Sequence, residues 1–302
     1  MQQTKIEYLT HTWNPIAMRC TPVSEGCANC WHLRMAKRLQ SVFENYSDSN
    51  HNYGWRDIDC EKAEAYAGGD PYINTKELSA PFKLRKPAVI GVQFMGDLFH
   101  ESIPFEWIDK VLHSIANSNH HQFVILTKRL TRANEYFERT STLGLGPNGD
   151  GNEKCEKWLG LVAYKWPLEN LIIGTSVENQ RTADERILKL LQIPAWKRMV
   201  SYEPALEEVD FRNLPFVKFG NRILDSFTAG TGSSSPWNVN ILVAGAETGP
   251  GARPCDPDWL RSARDQCAAA GVPFFLKQVD AKGTRELDGQ RHDEWIWKVE
   301  CK

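Results

Sequence analysis

Cys20, Cys27 and Cys30 lie on one short stretch, six residues separating the first pair and two the second. Three thiolates so close in sequence are natural donors to a thiophilic metal centre. A cubane iron–sulfur cluster held by three cysteines keeps one iron without a protein ligand, and that iron can receive a small molecule. The same residues permit two other readings. His32 would complete a donor set of three sulfurs and one nitrogen for tetrahedral zinc, although no second Cys-x2-Cys pair is present. Disulfide pairing needs an oxidising compartment, whereas the start Met-Gln-Gln-Thr-Lys carries no apolar export segment, so a reducing, cytoplasmic setting is expected.

The elements that must position these thiols are legible in the apolar runs 88–94, 122–126, 171–174, 198–200, 240–244 and 272–276. Near-continuous apolar strands belong to a parallel sheet covered on both faces. Helical spacing joins Phe105, Ile108, Val111, Leu112 and Ile115, and likewise Ala183, Ile187, Leu190 and Leu191. Asp256-Pro257, ahead of Leu260, Ala263 and Cys267, reads as a capped helix start. Alternating strands and helices make the fold α/β. Each run ends in polar residues: Gly96-Asp97, Thr127-Lys128-Arg129, Ser176 to Asn179, Ser201-Tyr202-Glu203, Glu247-Thr248 and Lys277-Gln278. Convergence of such ends on one mouth predicts a complete or partial (β/α) TIM-like barrel of parallel strands. The G-x-G-x-x-G turn of a dinucleotide fold is absent after the early strands.

The chain reads as a single domain over 1–302, with loop insertions near 47–80, 143–168 and 217–239. At 41% hydrophobic and 25% charged it has the balance of a folded enzyme. Its formal charge of −2 predicts no bulk attraction to a polyanion, so nucleic acid would need a local basic patch. No apolar run reaches the length of a membrane span, and no membrane partner is expected. Most of the eleven tryptophans serve core and loops, with base stacking as a further use. His100, His113, His120 and His121 lack metal-binding helical spacing, and Cys60, Cys155, Cys255, Cys267 and Cys301 are too dispersed for a second cluster.

Trp13-Asn14-Pro15, Cys20, Gly26-Cys27-Ala28-Asn29-Cys30-Trp31 and Arg34-Met35-Ala36 together resemble the cluster loop of radical S-adenosylmethionine enzymes. The resemblance is greatest to a phage-associated family of formerly unknown function, and more distant to spore photoproduct lyase-like enzymes. Further blocks carry it in order: 95–101, 126–129, 174–179, 201–204, 245–254 and 275–278. The common spacing of the superfamily is Cys-x3-Cys-x2-Cys, so the first gap here is three residues longer, and Trp31 stands where relatives often have tyrosine.

The resemblance implies a barrel of the radical S-adenosylmethionine type, with a 4Fe-4S cluster on Cys20, Cys27 and Cys30 and S-adenosylmethionine as cofactor. It implies cleavage to a 5′-deoxyadenosyl radical that abstracts hydrogen from a substrate. Gly96 and Asp97 match the region that holds the amino group of the methionyl moiety, and Ser176 and Glu178 the region of the ribose and methionyl carboxylate. Lys128 and Arg129 would neutralise a carboxylate or phosphate, or form a solvated basic turn. Glu203 and Lys277 are the expected catalytic pair, with Glu247, Arg253 and Gln278 on the substrate; each taken singly also reads as a structural ion pair or hydrogen bond. The leading expected substrate is a nucleobase, above all a hypermodified thymine in phage DNA that is rearranged (isomerised) or otherwise modified. Flavodoxin or ferredoxin would supply the electron, in the cytoplasm of a bacterial host. The alternatives are photoproduct-lyase-like repair, a peptide or free-nucleotide substrate, and a non-enzymatic interaction protein holding zinc.

Overall fold

A computed structural model describes residues 1–47, 60–142, 166–216, 222–224, 226–227 and 238–297. One sheet contains eight strands: β1 (Gln2–Gln3), β2 (His11–Trp13), β3 (Val89–Val92), β4 (Gln122–Leu126), β5 (Leu171–Val177), β6 (Lys197–Tyr202), β7 (Ile241–Gly245) and β8 (Phe274–Gln278). They stand side by side in chain order, parallel from β2 to β8, with β1 antiparallel at the edge. Helices α1 (Trp31–Ser47) and α2 (Cys60–Ala67) follow β2. Helices α3 (Phe105–Ala116), α4 (Leu130–Thr142), α5 (Gln180–Gln192) and α6 (Pro257–Ala270) follow β3, β4, β5 and β7. Right-handed crossovers between strands taken in chain order carry such helices to one face of the sheet.

The two faces explain the near-continuous apolar strands. Ile90, Phe123, Ile125, Ile173, Val200 and Leu242 pack with Ile108, Leu112, Ile187 and Leu260 of the helices in the larger core. Their neighbours Val89, Val124, Ile172, Met199, Ile241, Val243 and Phe275 face the other way and join Tyr8 and Leu9 in a second cluster. Trp295 of the C-terminal segment covers that cluster, stacked on Tyr8 at 5.1 Å. The outer edge of β8 meets the same segment, where Leu276 N donates to His292 O at 2.7 Å and Phe275 bridges Asp293. Among the described residues no ladder joins β8 to β1, so the sheet is mostly parallel and not closed by hydrogen bonds.

Helix ends follow the local chemistry. Asp256 caps α6 by accepting from Asp258 N at 2.9 Å, Pro257 fills its first position, and Gly271 leaves it at φ 67°. Asn179 and Thr182 form a reciprocal capping box on α5, a signal beyond the apolar spacing. Strands β5 and β6 run two or three residues past their apolar stretches, because Thr175 and Ser201 still take ladder bonds whatever their side chains.

The expected loop at 47–80 contains structure. Tyr72–Ile73 pairs with Ile16–Ala17, and Ala65 and Tyr66 of α2 bury against Ala17 and Leu39 in a satellite cluster. Eight residues are too few for α2 to announce itself by periodicity. Leu214–Phe216 pairs with Arg222–Leu224 at the start of the last expected insertion, whereas 48–59, 143–165, Cys155 and Cys301 lie outside the described residues. Among the described residues no helix is long and apolar enough to cross a membrane.

Candidate active site

The segment from Met18 to Cys30 leaves the Ile16–Ala17 strand and crosses the carboxyl ends of the parallel strands before α1 begins. Its approach is set by Trp13-Asn14-Pro15. Trp13 is fully buried and donates from Nε1 to Glu77 O at 2.8 Å, while Asn14 Oδ1 accepts from Met95 N at 2.8 Å. Cys20, Cys27 and Cys30 are free, half-buried thiols on the wall of one cavity of about 270 Å³. The same cavity is lined by Gly96 and Asp97 after β3, Lys128 and Arg129 after β4, Ser176 of β5, Glu203 after β6, Glu247 after β7 and Lys277 of β8. Glu178, Arg253 and Gln278 do not line the cavity and act from behind it.

Three charged knots bind the cysteine segment to the strand ends. The first centres on Glu178, a fully buried carboxylate that accepts from Lys128 Nζ, from Ser24 Oγ at 2.8 Å and from Arg186 Nη1 at 3.1 Å. A Cβ on Gly26 would fall 2.6 Å from Glu178 Cγ, so the segment sits too close for any other residue. The second is Arg129, whose Nη2 donates to Thr21 O at 3.0 Å and Thr21 Oγ1 at 2.7 Å, while Nε and Nη1 reach Glu101 and Asp97. His100 Nε2 also meets Thr21 Oγ1, at 3.0 Å. The third is Glu247, gripped by Arg253 Nη2 at 2.6 Å and accepting from Asn29 Nδ2 at 2.9 Å.

Charge follows from these contacts. Asp97 accepts from Phe99 N, Thr127 Oγ1, Lys128 N and Arg129 Nη1, which occupies all four lone-pair sites of a carboxylate. Burial opposes ionisation of Glu178, but Lys128 and Arg186 outweigh it and hold its carboxyl below the ordinary value. The Arg253 hydrogen bonds draw Glu247 down to about 2 against the cost of burial. The thiols differ. Burial pushes Cys20 up to about 11 despite Arg129, whose Nη1 lies 3.7 Å from the sulfur. Burial acts in the same direction on Cys27, yet Lys128, 3.7 Å away, and hydrogen bonds from Val23 and Ser24 lower it overall.

Across the cavity the arrangement is simpler. Lys277 Nζ donates to Glu203 Oε1 at 2.5 Å, and Gln278 Nε2 joins the same oxygen at 3.1 Å and Ala246 O at 2.6 Å. Ile6, Tyr8, Phe94 and Leu126 give this chamber an apolar floor. The sequence carried no signal for Tyr8 or Ile6, which precede the sheet without a motif. Ser24 stood among the unspecified residues between the first two cysteines, and Asn29 entered only as a member of the motif that carries the resemblance.

Among the described residues no three His, Cys, Asp or Glu side chains converge as a metal-holding group. The donor chemistry nonetheless fits a thiophilic centre: three unpaired thiols share one wall, two of them facing cations that favour thiolate. His32 is turned elsewhere. Its Nε2 accepts from Cys20 N at 3.3 Å, its Nδ1 is buried with no partner among the described residues, and burial lowers its pKa to about 4. His121 and His120 donate to Pro81 O and Leu84 O, each at 3.0 Å, away from the cavity.

A family model described as a protein of unknown function, DUF5131, matches residues 3–298. No curated protein and no solved structure matches the chain.

Proposed function

The chain belongs to the DUF5131 family over nearly its whole length, and we propose that it is a radical S-adenosylmethionine enzyme acting on a nucleobase. The observation that carries the reading is the meeting of three free thiols with the polar strand ends around one cavity. Cys20, Cys27 and Cys30 would hold a 4Fe-4S cluster, with S-adenosylmethionine beside Gly96 and Ser176. When bound, these groups supply a 5′-deoxyadenosyl radical that abstracts hydrogen. The chain's task is positioning and exclusion of solvent. Glu178 and Glu247 hold the cysteine segment, and the apolar floor keeps water from the reacting carbon. Lys277 and Glu203 form the catalytic pair: the ammonium grips an anionic group of the substrate, and the adjoining carboxylate can receive a proton from a neighbouring O–H or N–H of the substrate.

In this reading the sheet is a partial barrel, a flavodoxin or ferredoxin delivers the electron in a reducing cytoplasm, and the substrate is a modified thymine in DNA that is rearranged or further modified. Asp97 serves as a strand-end brace here, since its acceptor sites are filled. The interaction-protein reading with zinc needs a fourth donor, and the contacts of His32 disfavour it as that donor.

The test is anaerobic reconstitution with iron and sulfide, followed by reductant, S-adenosylmethionine and thymine-modified phage DNA. Brown protein that releases 5′-deoxyadenosine, together with a DNA base altered in structure, is the expected result. Protein that binds zinc, stays colourless and leaves S-adenosylmethionine intact overturns it.

A further inference from the structure

We propose that the exposed face of α1 is a docking strip for a single strand of nucleic acid, from which a base enters the cavity while still attached to its neighbours. This rests on the preceding reading only in taking a nucleobase as substrate. Trp31, Arg34, Met35 and Arg38 recur at the spacing i, i+3, i+4, i+7 and therefore share one side of the helix. Trp31 and Arg34 also line the cavity, so the strip starts at its mouth.

Two independent observations mark this side as an interaction surface. Trp31 is 47% exposed and Met35 36%, and Val23 on the cavity rim is 46% exposed. Of the five exposed large hydrophobic residues among the described residues, these three gather here, as they do where a partner covers them. The second is uncompensated charge. Among the described residues the Arg34 side chain bonds only to Pro250 O, at 3.3 Å, Lys37 and Arg38 are exposed, and none of the three forms an ion pair with a described residue. No carboxylate occurs from Trp31 to Ser41.

Charge complementarity selects the occupant. Cations beside an open indole suit a chain that presents phosphates and flat bases together, with the indole stacking and the cations tracking the backbone. The four residues cover about 10 Å of helix at the standard rise, so the contact is short. With a net charge of −2 on the whole protein, binding is expected to be modest and strongly weakened by salt.

Fluorescence anisotropy of a labelled single-stranded deoxyoligonucleotide, with the full chain and without reductant or S-adenosylmethionine, tests this directly. The native protein should bind with an affinity that falls steeply with salt. W31A should weaken binding about tenfold and W31F much less. R34E/R38E should weaken it about a hundredfold and flatten the salt dependence. Far-UV circular dichroism checks that each variant is folded. Undiminished binding by folded R34E/R38E overturns the proposal, as does polyglutamate competing as well as the oligonucleotide, which would assign the strip to an acidic protein. Failure here while the native protein cleaves S-adenosylmethionine sinks the strip and spares the cavity reading. Strip-dependent binding without cofactor cleavage does the reverse.

Discussion

The two sides of the cavity are built on different principles. On the cysteine side, Glu178, Asp97 and Glu247 are buried, and each is engaged by several donors from at least two segments. On the far side, Lys277 and Glu203 make one pair whose side chains are 18% and 21% exposed, with Gln278 in support. Saturated, buried carboxylates have no capacity left for a ligand and hold geometry; a partly open pair keeps donors and acceptors to offer. The cysteine wall is therefore the frame of the site, and in the proposed reading the Lys277 wall is where a substrate would be read.

The largest effect is expected at the cysteines. Cys27→Ala should abolish cluster retention and 5′-deoxyadenosine formation, measured by iron content and product assay, with the fold kept. Retained activity would remove the basis for calling that wall a frame. Next comes Glu178→Ala, which leaves Lys128 and Arg186 facing each other without the buried carboxylate between them. A loss of about 3–5 kcal/mol in urea unfolding is expected from breaking such a network on one side. Gly26→Ala at the same contact should cost about 1–3 kcal/mol, because the new methyl group meets Glu178.

A smaller effect separates the clamps by pH. The Glu247 carboxyl titrates near 2 when folded against an ordinary 4.5, so its contribution is complete above about pH 4.5 and is lost as pH falls toward 2. Glu247→Gln should be less stable than the native protein at neutral pH and should converge with it in acid, as read from unfolding midpoints across that range. Least affected is the stability of Lys277→Ala, where a partly exposed pair is worth about 0–1 kcal/mol. Its substrate turnover should nevertheless fall at least tenfold while cofactor cleavage without substrate persists. A large loss of stability in this variant would place Lys277 in the frame and erase the contrast.

Much of the positioning was legible in the chain. The apolar runs marked all six strands from β3 to β8, because strands covered on both faces cannot hide their hydrophobicity. Strand β2 was missed: three residues with a buried tryptophan beside polar neighbours have no periodic signal. The strand-end residues of the expected site did converge, yet the sequence did not separate Ser176, on the cavity wall, from Glu178, sealed behind it. Two residues along a strand keep the same face, and the local pattern is the same for both. Only the approach of Ser24, Lys128 and Arg186 from three other segments makes Glu178 a brace.

By itself the sequence determined the donor types, the three thiols on one short segment, and the α/β alternation that carries polar residues to strand ends. These are local properties, written in residue identity and spacing. Tertiary structure decided which carboxylates are spent on holding the segment, which thiol faces a lysine, and that a basic and aromatic helix face, without ion pairs among the described residues, opens beside the cavity. Those outcomes depend on burial and on partners from distant parts of the chain, and the energy of a charge depends on both.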